Sequence, residues 1–186
     1  MADEKTEYRI VFAHGINLET ANILRSRIVG ALGQQDFGSL TLQFSSEGGS
    51  TDQAIALYNL LRELPVSVHM HAIGHVGSAA LPLFLAADKR TCAEQARFFL
   101  HEYDWGFTER QTLHRMQEAL DRLKHDIAMA KSIISTRVPR VPQTILGAIG
   151  GESPPAIISP SEAQKLGVVS EICELAKTGR IATWFA

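Results

Sequence analysis

Two hydrophobic periods take turns along this chain, and that alternation restricts the fold more than any other feature of it. Tyr8 to Phe12 is a short β-prone run, after which Asn17 is placed to cap a helix whose apolar positions Ala21, Leu24, Ile28, Ala31 and Leu32 recur at helical spacing. Leu40, Leu42 and Phe44 then alternate with polar residues, as a strand does. Ser50-Thr51-Asp52-Gln53 fits a capping box, and Ala54, Leu57, Tyr58 and Leu61 make one helical face before Pro65 closes the element. Val66, Val68 and Met70 alternate as the next strand. The run Ala79 to Ala87 is apolar on every side and predicts a buried helix, and Phe98-Phe99-Leu100 predicts a buried strand. Strand and helix in regular exchange favour a largely parallel sheet with right-handed crossovers.

In the second half, Thr108-Glu109-Arg110-Gln111 is a further capping box and predicts the start of a long helix. Leu113, Met116, Leu120, Leu123, Ile127, Ala130 and Ile134 form a heptad stripe along it. Such a stripe is either the core-facing side of an ordinary helix or the face of a helix that projects to pack on another subunit. Ser159-Pro160-Ser161-Glu162 combines an N-cap, a proline at the first helical position and a capping-box glutamate, with Gly167 as the stop.

The 186 residues are expected to form one domain over 1–186, long enough to bury a full core without covalent staples. Two cysteines, Cys92 and Cys173, make no disulfide framework and have no zinc-type spacing, so a reduced, cytoplasmic protein is expected. Eighteen Lys and Arg against 20 Asp and Glu, with no basic run, argue against nucleic acid as a partner. The start, Met1 to Glu7, is acidic and polar where a secretory signal is basic and then apolar. The longest apolar run, Ala79 to Ala87, contains Pro82 and falls far short of the roughly 20 residues of a membrane span.

The chemistry concentrates where strands end. Gly74-His75-Val76-Gly77-Ser78-Ala79-Ala80 puts a serine at a glycine-flanked turn between a strand and the buried helix. A hydroxyl there is presented as a nucleophile, with the Ala79 amide available to a developing oxyanion; serine is equally a good N-cap, and the turn alone does not choose. The loop Ser45-Ser46-Glu47-Gly48-Gly49-Ser50 also joins a strand end to a helix start, and its glycines free backbone amides to face a cleft. In an open parallel sheet the strand ends share one edge, so both loops can meet there. His101 follows a third strand, within reach of the serine as a general base. His69 and His71 share a strand face and, with His75, offer metal-type ligands. Lacking a carboxylate to complete the set, they are expected as partly exposed polar positions, and no metal or cofactor is expected.

Taken in order, Gly48-Gly49-Ser50, Gly77-Ser78-Ala79 and His101 resemble the Clp peptidase proteolytic subunit, within the Clp-crotonase superfamily. Gly15-Ile16-Asn17, the Ser-x-Gly-Gly-Ser loop at Ser46 to Ser50 and the closing Ser-x-x-Glu-Ala-x-x-x-Gly at Ser159 to Gly167 extend the likeness over most of the chain. The resemblance implies an α/β fold of repeated β-β-α units with a largely parallel sheet and a long projecting handle helix. It implies a serine peptidase acting on peptides or unfolded protein, with Ser78 as nucleophile, His101 as general base, and the amides of Gly48 and Ala79 as oxyanion hole. It also implies a homo-oligomer, two stacked rings of seven joined through the helix that follows Thr108.

The sequence departs from the family pattern at several points. Pro155 stands where the family has its triad aspartate, which leaves Glu152 as the candidate third member and Asp104 as a weaker one. Glu47 replaces a proline beside the oxyanion loop, and Ala80 replaces a glycine. Only Met1 to Glu7 precede the first strand, where the family forms axial pore loops, and this argues against docking to a ring ATPase. Two further functions therefore stand beside the peptidase: a catalytically impaired structural or regulatory subunit of the same fold, and a crotonase-type acyl-thioester enzyme.

Overall fold

The sheet is assembled by crossovers that return each strand in the same direction, which brings the strand ends carrying the chemistry to one edge. A computed structural model describes residues 6–176 and 181–186. The acidic start before Thr6 lies outside the described residues. Strand β1 (Thr6–Ala13) leads through helix α1 (Leu18–Leu32) to β2 (Phe37–Ser46), and α2 (Thr51–Glu63) leads to β3 (Val68–Gly77). After the short α3 (Ala80–Phe84) come β4 (Lys89–Cys92) and β5 (Arg97–Leu100), then the long α4 (Leu113–Arg137). The chain continues with α5 (Gln143–Ile149), β6 (Ala156–Ile158), α6 (Pro160–Leu166), β7 (Glu171–Ile172) and β8 (Ile181–Phe185).

The strands form one sheet in the order β6-β5-β3-β2-β1-β8, with β4 paired to β3 and β7. The β5–β6 ladder is antiparallel and the other ladders are parallel. β3 is long enough to serve two neighbours on one side: His69 to Ala72 pair with β4, and His75 to Gly77 with β5. That change of partner delivers Gly77 and the end of β5 side by side.

Local signals set the helices. Asn17 and Thr20 form a reciprocal capping box at the head of α1, and Ala21, Leu24, Ile28 and Ala31 are fully buried. Ser50 caps α2 through the Gln53 amide. Ser159 caps α6 with Pro160 behind it, and Gly167 ends it at φ 87°, a left-handed position where glycine carries no steric penalty. One sheet face, with Ile10, Phe12, Leu40, Leu42, Phe44 and Met70, packs into the core. No helix among the described residues is long and apolar enough to cross a membrane.

Three readings of the helices change. The long helix begins at Leu113 with Thr112 as its cap, and Thr108 to Gln111 precede it as irregular chain. Its stripe also divides: Ala130 and Ile134 are buried, whereas Leu113, Met116 and Leu120 are 84%, 51% and 45% exposed. The apolar run Ala79 to Ala87 is buried throughout but helical only over Ala80–Phe84. Its last carbonyls are taken by arginines: Arg137 Nε donates to Leu85 O at 2.9 Å and Arg62 Nη1 to Ala86 O at 3.2 Å.

The other sheet face carries a polar network. Arg9 donates twice to Glu7, Thr41 Oγ1 donates to Glu7 Oε1, and the Thr91 hydroxyl lies between His69 Nε2 at 2.8 Å and His71 Nδ1 at 2.7 Å. His71 is buried, contrary to the partly exposed position expected for it, because its threonine neighbour satisfies the ring. Burial, aided by Lys89 and His71, pushes His69 down to about 4, and burial with Arg9 lowers His71. The folded state thus takes protons on both rings at lower pH than the unfolded chain, whose histidines take one near 6.5. As pH falls from about 6.5 toward 4 the unfolded state binds protons that the folded state refuses, so stability falls over that window. Thermal unfolding between about pH 7 and pH 5 is expected to show a falling midpoint, and His69→Gln to flatten the slope.

Candidate active site

Ser78 leaves β3 in a conformation that a side chain seldom adopts. Its φ is 52°, and among the described residues it is the one non-glycine at positive φ. Main-chain bonds hold it there: its amide donates to Phe99 O of β5 at 2.9 Å, and its carbonyl accepts from Leu81 at 3.1 Å. The helix that follows is capped by Ala79, with no side-chain cap bond. Ser78 therefore does not serve as an N-cap. A left-handed turn on a serine costs of order 1–3 kcal/mol and is found chiefly where geometry serves a site. The Ala79 amide heads α3 and has no hydrogen-bond acceptor among the described residues.

The glycine loop lies against this turn. Gly48 and Gly49 have φ of 99° and 132°. The loop is clamped to the segment after β1, where Ile16 N donates to Gly48 O at 2.7 Å and Ser50 N to Ile16 O at 2.8 Å. A Cβ on Gly48 would stand 2.8 Å from both Gly77 O and Ser78 Cβ and 3.0 Å from Ala79 N. Only glycine fits, in conformation and in space. Gly48→Ala is expected to lower the rate of any reaction at Ser78 about a hundredfold by displacing the turn, a loss of the size that misplacements near 1 Å produce. The rate of covalent capture by a fluorophosphonate would measure it. The Gly48 amide donates to Ser46 Oγ at 3.1 Å.

Ser78, Gly48 and His101 line one cavity of about 470 Å³ together with Glu47, Asp52, Tyr103, Asp104, Leu123 and Asp126. His101, at the end of β5, stacks on Phe99 with ring centroids 5.3 Å apart and planes 21° from parallel. It makes no hydrogen bond to Ser78, and no carboxylate among the described residues pairs with it. Glu152 lies apart from this group, in an ion pair with Lys131 of α4 at 2.8 Å. Asp104 does line the cavity. Pro155 directly precedes β6, whose Ala156 stands opposite Leu100, so the same ladder carried one step further sets Pro155 across from His101.

His75 accepts from Arg97 Nε at 3.1 Å. Among the described residues no three His, Cys, Asp or Glu side chains are grouped to hold a metal ion. The cavity also holds residues to which the sequence assigned no chemistry: Tyr103 from the segment after β5, Asp52 from α2 and Asp126 from α4. Asp126 carried a signal of its own, since it falls among Leu123, Ile127 and Ala130 on the inward side of an amphipathic helix.

The family model for Clp protease matches residues 4–176. The ATP-dependent Clp protease proteolytic subunit 2 of Borreliella burgdorferi is 33% identical over 101 residues, 53% of this chain and 50% of that protein. The corresponding subunit of Illicium oligandrum is 26% identical over 177 residues, 94% of this chain and 85% of its own length. Subunit 1 of Rhodopirellula baltica is 28% identical over 105 residues. The matched region thus spans about half the length of the Borreliella and Rhodopirellula relatives. A solved ClpP1 mutant from Listeria monocytogenes has a TM-score of 0.72 at 19% identity, covering 90% of this chain and 91% of that one, a likeness of fold.

Proposed function

The chain belongs to the Clp protease family and has the Clp-crotonase fold, and from that premise we propose that it is a serine-type peptidase subunit acting on peptides or unfolded polypeptide. Ser78 Oγ attacks the scissile carbonyl, His101 takes the hydroxyl proton and returns it to the leaving amine, and the Ala79 amide receives the oxyanion. The Gly48 amide joins it by exchanging Ser46 Oγ for the developing charge. The observation that carries this reading is the left-handed Ser78 turn, which presents the hydroxyl instead of using it as a cap. A fluorophosphonate probe followed by mass spectrometry tests it: adduct on the Ser78 peptide is the expected result. Glu152, engaged with Lys131, enters as a brace of the loop before β6 and not as the partner of His101.

A second reading, a structural or regulatory subunit that cuts slowly or not at all, is favoured by one observation: no carboxylate among the described residues pairs with His101. Absence of probe adduct in a folded protein selects it.

The proposed partner in either case is a second copy of the chain, in stacked rings of seven. Support comes from the outer half of α4, where Leu113, Met116 and Leu120 stand exposed and line a groove of about 390 Å³ with Trp105 and Phe107. Contiguous apolar surface of this kind marks association sites. Leu120→Asp is expected to split the assembly, because pairing would bury an unpartnered charge. Light scattering reads the result; an unchanged mass would remove this face from the contact.

A further inference from the structure

The cavity beside Ser78 is strongly one-sided in charge. Glu47, Asp52, Asp104 and Asp126 line it, arriving from the loop after β2, from α2, from the segment after β5 and from α4. His101 is the only basic side chain among the lining residues. Arg122 stands at the rim, 3.3 Å from Asp52 and 5.0 Å above the Trp105 ring, and so pairs with one of the four acids; Glu47, Asp104 and Asp126 have no ion pair among the described residues. A second feature is independent of the acids: Tyr103, 7% exposed, lines the same cavity, and its hydroxyl has no hydrogen-bond partner among the described residues. Its main chain is fixed, with Tyr103 N donating to Ile149 O at 3.0 Å. Burial and the charge of Asp126 push the phenol up, and burial with the charge of Asp52 pushes the Asp126 carboxyl up. Burial is the larger cause of both shifts, and the neighbouring carboxylates add to it; Arg122 and His125 oppose the rise at Asp126 without reversing it.

An orphaned phenol oxygen beside a half-buried carboxylate is a poor setting for an apolar or acidic guest, because each leaves the polar groups unpaired. It suits a guest that brings donors and positive charge on an apolar stem, and Leu123 and Trp105 offer the stem a wall. We propose that this cavity is a specificity subsite for a lysine or arginine side chain of the bound peptide, with Asp126 and Tyr103 Oη as the groups that receive it. The inference rests on Ser78 as the point of attack.

The test is a ratio measured within each protein. Peptidyl-aminocoumarin substrates that differ only in carrying Arg, Lys, Leu or Glu before the scissile bond are assayed on the full chain. The expected kcat/KM ratio of Arg or Lys over Leu is at least about tenfold, what a charge-assisted hydrogen bond supplies. Asp126→Asn and Tyr103→Phe should each narrow that ratio, and Asp126→Lys should shift preference toward Glu. Because each ratio is internal to one variant, a general loss of activity does not imitate the effect. Equal turnover of Arg and Leu substrates by a chain that the fluorophosphonate labels overturns the subsite and leaves the peptidase reading intact. The converse is read on Ser78→Ala with fluorescein-labelled peptides of Lys or Glu composition, by anisotropy. Preferential binding of the Lys peptide by a chain whose wild type is never labelled upholds the subsite and overturns the peptidase; no preference there overturns the subsite.

Discussion

Replacing Ser78 by alanine is expected to abolish covalent capture and to reduce peptide hydrolysis by several orders of magnitude while the fold survives. The hydroxyl is the proposed attacking group, and losing the nucleophile of a serine-histidine unit removes roughly a millionfold in kcat where the unit is complete. The structural effect should be small, since Ser78 supplies no cap and its two anchors, to Phe99 O and from Leu81 N, belong to the main chain. His101→Ala should lower the rate almost as far, because members of one catalytic unit are grossly non-additive. Labelling kinetics beside circular dichroism of the variants would check both. Undiminished hydrolysis in Ser78→Ala would falsify the assignment, and a silent His101→Ala would break the pair.

Restoring a carboxylate at position 155 should have the next largest effect, in the opposite direction. Continued by one step, the β5–β6 ladder sets Pro155 across from His101, and Cβ atoms of directly opposed residues lie about 4.5–5.5 Å apart. A carboxylate there spans that gap to the imidazole, whereas proline offers it nothing. Proline is tolerated because β6 is an edge strand and the residue lies at its mouth. Pro155→Asp is therefore expected to raise the labelling rate of Ser78 by at least about tenfold, a fraction of the roughly 10⁴ that an orienting carboxylate contributes in a complete triad. The gain should vanish when His101→Ala is added. A rate unchanged by Pro155→Asp would mean that orientation of His101 does not limit the site.

What could be read in advance was whatever a few neighbouring residues decide. The caps at Asn17 and Ser159 and the stop at Gly167 involve groups within one or two turns, and they stand as expected. Ser78 was ambiguous for the opposite reason: the bond that pulls it out of capping comes from Phe99, on a strand formed later in the chain. The capping-box pattern at Thr108 goes unused, and the helix starts later, with Thr112 as its cap. Short pieces such as β4, β6, β7 and α5 went unread because they carry too few residues to show a period. The convergence of Ser78, His101 and Gly48 on one cavity follows from strand ends sharing an edge, which a parallel sheet makes predictable. The acid positions did not follow. Asp52, Asp104 and Asp126 meet only through tertiary packing, and Glu152, nearer in sequence to the family's acid, turns to Lys131 instead.

The left-handed corner at Ser78 also bears on how such a chain drifts. Glycine would relax the turn, and threonine or valine would strain it further, because a β-branched residue tolerates positive φ poorly. A lineage with no use for the hydroxyl could exchange the whole side chain for glycine's hydrogen and relieve a strain of about 1 kcal/mol or more. Folding stability thus pushes this one position toward silence, and the serine stands there against it.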